Sequence, residues 1–255
     1  GELWATRNAL RFAATDQQWI LIAKGVGNGS IDIEFSKDLN QCFVATQARV
    51  TRIDGLGSIY TSDEEFFEKA GIRTPTNPTE NTPTAVTSQV IYTGGNNGIA
   101  LNPNNADDLL VFPSGTSTKM RRSNNATSGS VTFTDLGAIS SPSPFMYDGI
   151  IDRDNDDLLV VGTSEGMFTS DDGGATWALS GDDFAGTPVF EVRQSWRGYN
   201  EGNYRPGEIY VGTFGRGIWS SISLLGLEDE NAPIAKAVSS TTSRSSAIRS
   251  FFSSL

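Results

Sequence analysis

Two stretches carry residue types able to do chemistry on their own. In Asp152-Arg153-Asp154-Asn155-Asp156-Asp157 the alternating acids Asp152, Asp154 and Asp156 can present several oxygens to calcium, a hard cation that prefers such ligands. The position where a calcium loop turns on glycine is Asp157, and the distant bidentate glutamate is replaced by Thr163. An ordinary polar turn fits the same residues, and the parallel turn Asn102 to Asp108 lacks that charge density. In the second stretch, Trp196, Tyr199 and Tyr204 stand beside Arg197 and Arg205. Aromatic and arginine side chains stack on sugar rings and anchor protein partners; an aromatic loop that packs on its own sheet has the same composition.

What is missing narrows the chemistry further. The chain has no histidine, which excludes Ser-His-Asp and Cys-His catalysis, His-ligated zinc and the two-histidine iron triad. An enzyme built on this chain would run on carboxylates, Tyr, Lys or Ser. The single cysteine, Cys42, lies in the apolar run Cys42-Phe43-Val44 and reads as core packing. A formal net charge of −11 without a basic cluster repels phosphate backbones and argues against nucleic acid as a partner. No apolar run is long enough to insert in a membrane as a helix.

The elements that position these residues are organised around Gly166 to Trp177, where a short apolar strand turns through Ser170-Asp171-Asp172-Gly173-Gly174-Ala175-Thr176-Trp177 into another strand. Asp172 can accept from backbone N–H groups of its own turn, and Gly173 and Gly174 permit positive φ. Trp177 folding back over the hairpin buries roughly 150–250 Å², worth at most roughly 4–6 kcal/mol. The turn is a staple, not a reaction centre.

Repeats set the fold class. Leu158-Leu159-Val160-Val161-Gly162-Thr163 parallels Glu208-Ile209-Tyr210-Val211-Gly212-Thr213, fifty residues on, and Gly98 to Val111 parallels Gly149 to Val160 at a similar spacing. An earlier copy begins at Ile31, passes Cys42 to Thr46 and reaches Ser58 to Glu64, which reads as a box that has lost its glycines. Each unit holds four short strands, the signature of propeller blades; 27 Gly, 14 Phe, 6 Tyr and 5 Trp in 255 residues suit many strands with tight turns. Blades are expected at residues 30–70, 97–137, 148–183 and 188–222, with Leu3 to Thr6, Ala9 to Ala13 and Trp19 to Ile22 as three strands of another whose first strand is missing. Residues 72–88 read as a surface loop, 1–227 as one propeller domain, and 228–255 as a Ser/Thr-rich linker or interaction tail. The fold expected is all-β: a β-propeller of four-stranded antiparallel blades, about five visible and the ring incomplete, so that Gly1 is not expected to be a natural start.

Ser170, Asp172, Gly174, Thr176 and Trp177 resemble the Asp-box, or BNR repeat, of sialidases, sortilin-type receptors and related β-propellers. Tyr210 to Trp219 resembles secreted or surface propellers of sortilin type, including those exported through the type IX pathway. The likeness covers about residues 1–222, with motif-level matches at 166–177 and 208–221. It implies that the box lies between the third and fourth strands, away from the ligand face, and that Trp196 to Arg205 shares the box face. A glycosidase of this kind would need acids on the opposite face, where the resemblance places Asp54 and Glu165 with Arg49, Arg52 and Arg216 as cationic partners. No Arg-Ile-Pro signature accompanies them. The expectation is a non-catalytic propeller module of a secreted or cell-surface protein, serving assembly, adhesion or protein and glycan binding, with no cofactor unless calcium. Its partner is a protein or a further segment of the same polypeptide that completes the propeller. A sialidase-like or xyloglucanase-like glycoside hydrolase is the alternative.

Overall fold

The computed structural model describes residues 1–6, 19–59, 85–115, 119–139, 144–180 and 185–221. Among the described residues, seventeen strands form five consecutive antiparallel sheets. The first sheet pairs β1 (Glu2–Ala5) with β2 (Ile20–Lys24). The second holds β3 (Ser30–Phe35), β4 (Gln41–Thr46), β5 (Arg49–Asp54) and β6 (Thr87–Thr93); the third holds β7 (Asn96–Asn102), β8 (Asn105–Pro113), β9 (Arg121–Ser123) and β10 (Thr134–Asp135). The fourth holds β11 (Met146–Ile151), β12 (Leu159–Thr163), β13 (Gly166–Ser170) and β14 (Ala178–Leu179), and the fifth β15 (Val189–Gln194), β16 (Ile209–Thr213) and β17 (Gly217–Ser221). The inner strands β3, β7, β11 and β15 pack on one another in order around an axis. This is β-propeller architecture, as the fifty-residue repeat predicts.

Alternating side chains on each sheet face two neighbours, so the core lies between sheets. Ala100, Leu110 and Phe112 of the third sheet meet Ile151, Leu159 and Val161 of the fourth. Phe43, Ala45 and Val50 of the second meet Ile99, Leu109 and Val111 of the third. Cys42 and Val44, on the other face of β4, pack with Ile20 and Ile22 of β2, and burial pushes the Cys42 thiol up to about 12, which suits an inert packing residue. Among the described residues no helix is long and apolar enough to cross a membrane.

Two expectations change. The third strand of the second sheet is β5, immediately after β4, so this sheet runs from Ser30 to Thr93. Leu56–Ile59 forms a one-turn 3-10 helix where the sequence suggested a strand entering a box, and residues 60–64 lie outside the described residues. The cause is Arg52, which is buried in β5 by donating to Asp54, Gln89 and the Ala126 and Ser128 carbonyls, so a core strand reads as polar. In the first sheet β1 pairs directly with β2. The strand expected at Ala9 to Ala13, most of the loop at 72–88 and the tail at 228–255 lie outside the described residues.

Candidate functional site

All four inner strands bulge at the same register. The register shifts after Ser30, Asn96, Met146 and Val189, which puts Asp32, Gly98, Asp148 and Glu191 in equivalent positions. Two residues further along stand Glu34, Ala100, Ile150 and Arg193. A bulge turns a backbone N–H out of the ladder, and the preceding sheet captures it: Asp32 Oδ2 accepts from Ile99 N–H at 3.0 Å, and Asp148 Oδ2 from Val192 N–H at 2.8 Å. Between the third and fourth sheets Asn97 Nδ2 donates instead to the Met146 carbonyl at 2.8 Å. Here Gly98 is required by close approach, since a Cβ would lie 2.7 Å from the Tyr147 carbonyl oxygen.

Arg193 ties this layer together. Its guanidinium lies 3.0 Å from Glu34, 3.4 Å from Asp148, 3.6 Å from Asp32 and 2.8 Å from Glu191. Four carboxylates share one cation, and burial outweighs its attraction: desolvation, with the Asp32 charge adding, pushes Glu34 up to about 8. Desolvation likewise lifts Asp148 to about 7, although Arg193 and the Val192 N–H oppose it. An axial cleft of about 230 Å³ begins at Glu34 and Arg193 and reaches the turn residues Pro103 and Trp196, with Gln194 on its wall. Ionisable groups and an aromatic ring converge on it. The sequence reading missed these acids; the available signal was an acid following an apolar residue near the start of three inner strands, in Ile31-Asp32, Tyr147-Asp148 and Phe190-Glu191.

The strand directions sort the expected site residues into two ends. One end carries the turns between second and third strands, with Glu165 and Arg216; the other carries the first-to-second and third-to-fourth connections. Asp54 closes β5 opposite Gln41, the register that Ser170 occupies opposite Leu159. Asp54 and Glu165 therefore sit at opposite ends of their sheets and are not brought together. Asp54 is paired with Arg52 at 2.8 Å and accepts from Gln41. Arg49 donates to the Gly25 and Val26 carbonyls.

The loop of Trp196 lies at the end shared with the box, as the resemblance implied, and Trp196 lines the cleft there, which the resemblance did not imply. Lys37 and Arg197 lie 5.8 and 5.4 Å from its ring centroid, and Lys37 also meets Glu201 at 3.8 Å. Tyr199 opens a one-turn 3-10 helix; Tyr204 is 90% exposed; Arg205 is bound to buried Glu208 at 3.0 Å. The neighbouring acids have separate partners. Asp152 accepts from Asp154 N–H, Asn155 N–H and Gln194 Nε2, Asp154 pairs with Arg153, and Asp156 accepts from Asn102. Among the described residues no three Asp, Glu, Cys or His form a group able to hold a metal.

The box turn has the expected hydrogen bonds: Ser170 donates to Asp172, which accepts from the Thr176 N–H at 2.9 Å and hydroxyl at 2.6 Å. These donors hold the Asp172 carboxyl down at about 2, and Gly173 and Gly174 have φ of 70° and 90°. Trp177 does more than cover its own hairpin. It packs beside Leu136 against the core of the preceding interface and donates to the Gly137 carbonyl at 3.1 Å. The third sheet holds a second such turn: Ser123 donates to Asn125, whose Oδ1 accepts from the Thr132 N–H and hydroxyl, and Phe133 packs edge-on to Tyr92 of β6. An insertion between Asn125 and Thr132 hid it from the sequence reading. Asp172→Ala should cost about 0.5–1.5 kcal/mol, the net worth of turn hydrogen bonds whose freed donors water can reach. Because the folded pKa is lowered, that stabilisation is present above the ordinary carboxylate range and lost as pH falls through about 2. Urea denaturation at pH 7 and pH 2 measures both; an equal wild-type advantage at the two pH values would count against this account.

No family model matches the chain, and no curated protein matches it. Solved structures similar to it include a GH74 enzyme of Niastella koreensis, at 20% identity over 79% of this chain and 29% of that one with a TM-score of 0.47. The GH74 xyloglucanase of Xanthomonas campestris gives 15% identity, coverage of 87% and 31%, and 0.46. The Cps50 (Swd1) beta-propeller domain of Myceliophteria thermophila gives 14%, coverage of 81% and 59%, and 0.49. The chain spans less than a third of either GH74 structure. The β-propeller architecture rests on the chain's own sheets.

Proposed function

We propose that the chain is a non-catalytic β-propeller module of Asp-box, sortilin-like type, belonging to a secreted or cell-surface protein and serving assembly, adhesion or protein and glycan binding. The observation that carries this reading is the state of the acids. Asp54 and Glu165 stand at opposite ends, and the carboxylates that do converge, Asp32, Glu34, Asp148 and Glu191, are all engaged by Arg193. What the box end offers to a partner is the loop of Trp196, Arg197, Tyr199, Tyr204 and Arg205, of which Arg197, Tyr204 and Arg205 are exposed. The reading includes no cofactor. It extends to a protein partner or a further segment of the same polypeptide, and it excludes nucleic acid and membrane insertion. An array of neutral and sialylated oligosaccharides, with a surface-protein extract as the second probe set, tests it. Tyr204→Ala combined with Arg197→Ala should weaken any captured probe at least tenfold with an unchanged melting temperature. Equal capture by the variant would remove the loop from the proposal.

One observation favours the alternative of a glycoside hydrolase. Glu34, raised to about 8, lines the cleft, and a carboxyl kept protonated at neutral pH is what a general acid requires. On that reading hydrolysis of xyloglucan or a sialoside would be detectable and lost in Glu34→Gln.

A further inference from the structure

Within each sheet one face turns toward the sheet that follows. In the second to fourth sheets this face is buried, through Phe43 and Ala45, Leu110 and Phe112, and Val160 and Met167. In the fifth sheet register puts Tyr210 where Val160 stands, opposite the inner strand, and Ile218 where Met167 stands, opposite a glycine. Met167 is 3% exposed; Ile218 is 82% and Tyr210 41% exposed, with Phe214 beside them at 70%. Side chains of core type therefore face solvent at the same register positions.

The polar half of the interface repeats as well. Asp32 and Asp148, at the bulge position, each accept a backbone N–H from the next inner strand. Glu191 holds that position in β15 and is paired with Arg193 of its own strand. We infer that the face of the fifth sheet bearing Glu191, Tyr210 and Ile218 is a docking surface for one further antiparallel β-sheet of this repeat type, whose inner strand donates a bulge N–H to Glu191. The established interfaces continue onto it in both apolar and polar register. A second copy of the chain fits less well, because an isologous contact brings a surface against itself and would set Glu191 among acids with no N–H to accept.

The repeat supplies its own probe. Ser221 stands opposite Ile209 as Ser170 stands opposite Leu159, so a second copy of residues 171–221 inserted between Ser221 and Ile222 continues the pattern in frame. In the extended protein, hydrogen exchange across residues 209–221 should slow at least tenfold relative to the original chain. Glu191→Ala and Ile218→Asp should each reverse most of that protection, while Ile218→Asp in the original chain leaves its melting temperature unchanged. Unchanged exchange at 209–221, or an added segment that fails to fold or is trimmed by protease, overturns the inference. So does an original chain that sediments as a dimer dispersed by Ile218→Asp, which would assign the face to a second copy.

Discussion

Arg193→Met should lower stability by about 2–3 kcal/mol at pH 8 and by about 1 kcal/mol at pH 5. Removing one partner of a fully buried ion pair costs about 3–5 kcal/mol; the lower figure reflects an Arg193 side chain that is 43% exposed and partly screened by water. The pH dependence follows from Glu34 and Asp148, whose folded values of about 8 and about 7 lie above their ordinary 4.5 and 3.8. The folded state then holds protons that the unfolded chain releases. Stabilisation from this source is full below the ordinary carboxylate range and is lost as pH rises through 7 to 8. At pH 5 Glu34 and Asp148 are neutral; at pH 8 Arg193 also holds a largely ionised Asp148 and a half-ionised Glu34. Wild-type protein should melt lower at pH 9 than at pH 6, and Glu34→Gln should flatten that slope and melt higher than wild type at pH 9. Thermal denaturation across pH 5 to 9 reads all three curves. A cost for Arg193→Met that does not change with pH would show that the cluster titrates as ordinary surface acids.

Phe112→Ala should be the costliest apolar truncation, at about 3–5 kcal/mol. Phe112 is fully buried between the third and fourth sheets with Leu110, Ile151 and Val161, and its ring fits where Gly149 has no side chain. A Cβ on Gly149 would come within 2.8 Å of Phe112 Cζ and 2.5 Å of the Val160 carbonyl oxygen. Gly149→Ala alone should cost about 1–3 kcal/mol through overpacking. Phe112→Leu in the same chain should return the part due to the ring but not the part due to the carbonyl. A double-mutant cycle by urea denaturation measures that coupling; strict additivity would mean that the ring and the glycine do not share one space.

The fold was legible because apolar alternation and turn chemistry agree within each repeat. Val160-Val161-Gly162-Thr163 and Val211-Gly212-Thr213 announce the second strands of their sheets, and the Asp172 turn follows from local hydrogen bonding alone. The second sheet was misread where tertiary contacts override local pattern: β5 buries Arg52 because the Ala126 and Ser128 carbonyls, over seventy residues away, receive it. The site was less legible for the same reason. Glu34 and Arg193 meet across 159 residues, a juxtaposition that no spacing along the chain encodes. Asp54 read as a loop acid because β5 had been placed too late. The aromatic loop of Trp196 to Arg205 was found from its residue types, but not the Lys37 and Arg197 contacts that cover the Trp196 ring.

The bulge contacts between sheets have a direction. Asp32 takes the Ile99 N–H, Asn97 gives to the Met146 carbonyl and Asp148 takes the Val192 N–H, at separations of 67, 49 and 44 residues; each reaches from one unit to its successor. Such nearest-neighbour coupling makes a linear array in which every unit has a finished template before it is itself complete. A nascent chain leaving the ribosome amino end first can therefore crystallise its sheets one after another, without waiting for distant sequence to be translated. The bridges from the second sheet to the fifth, Arg193 with Asp32 and Glu34 and Lys37 with Glu201, close far longer loops and then form last, acting as a latch on a structure already assembled rather than as the nucleus of its folding.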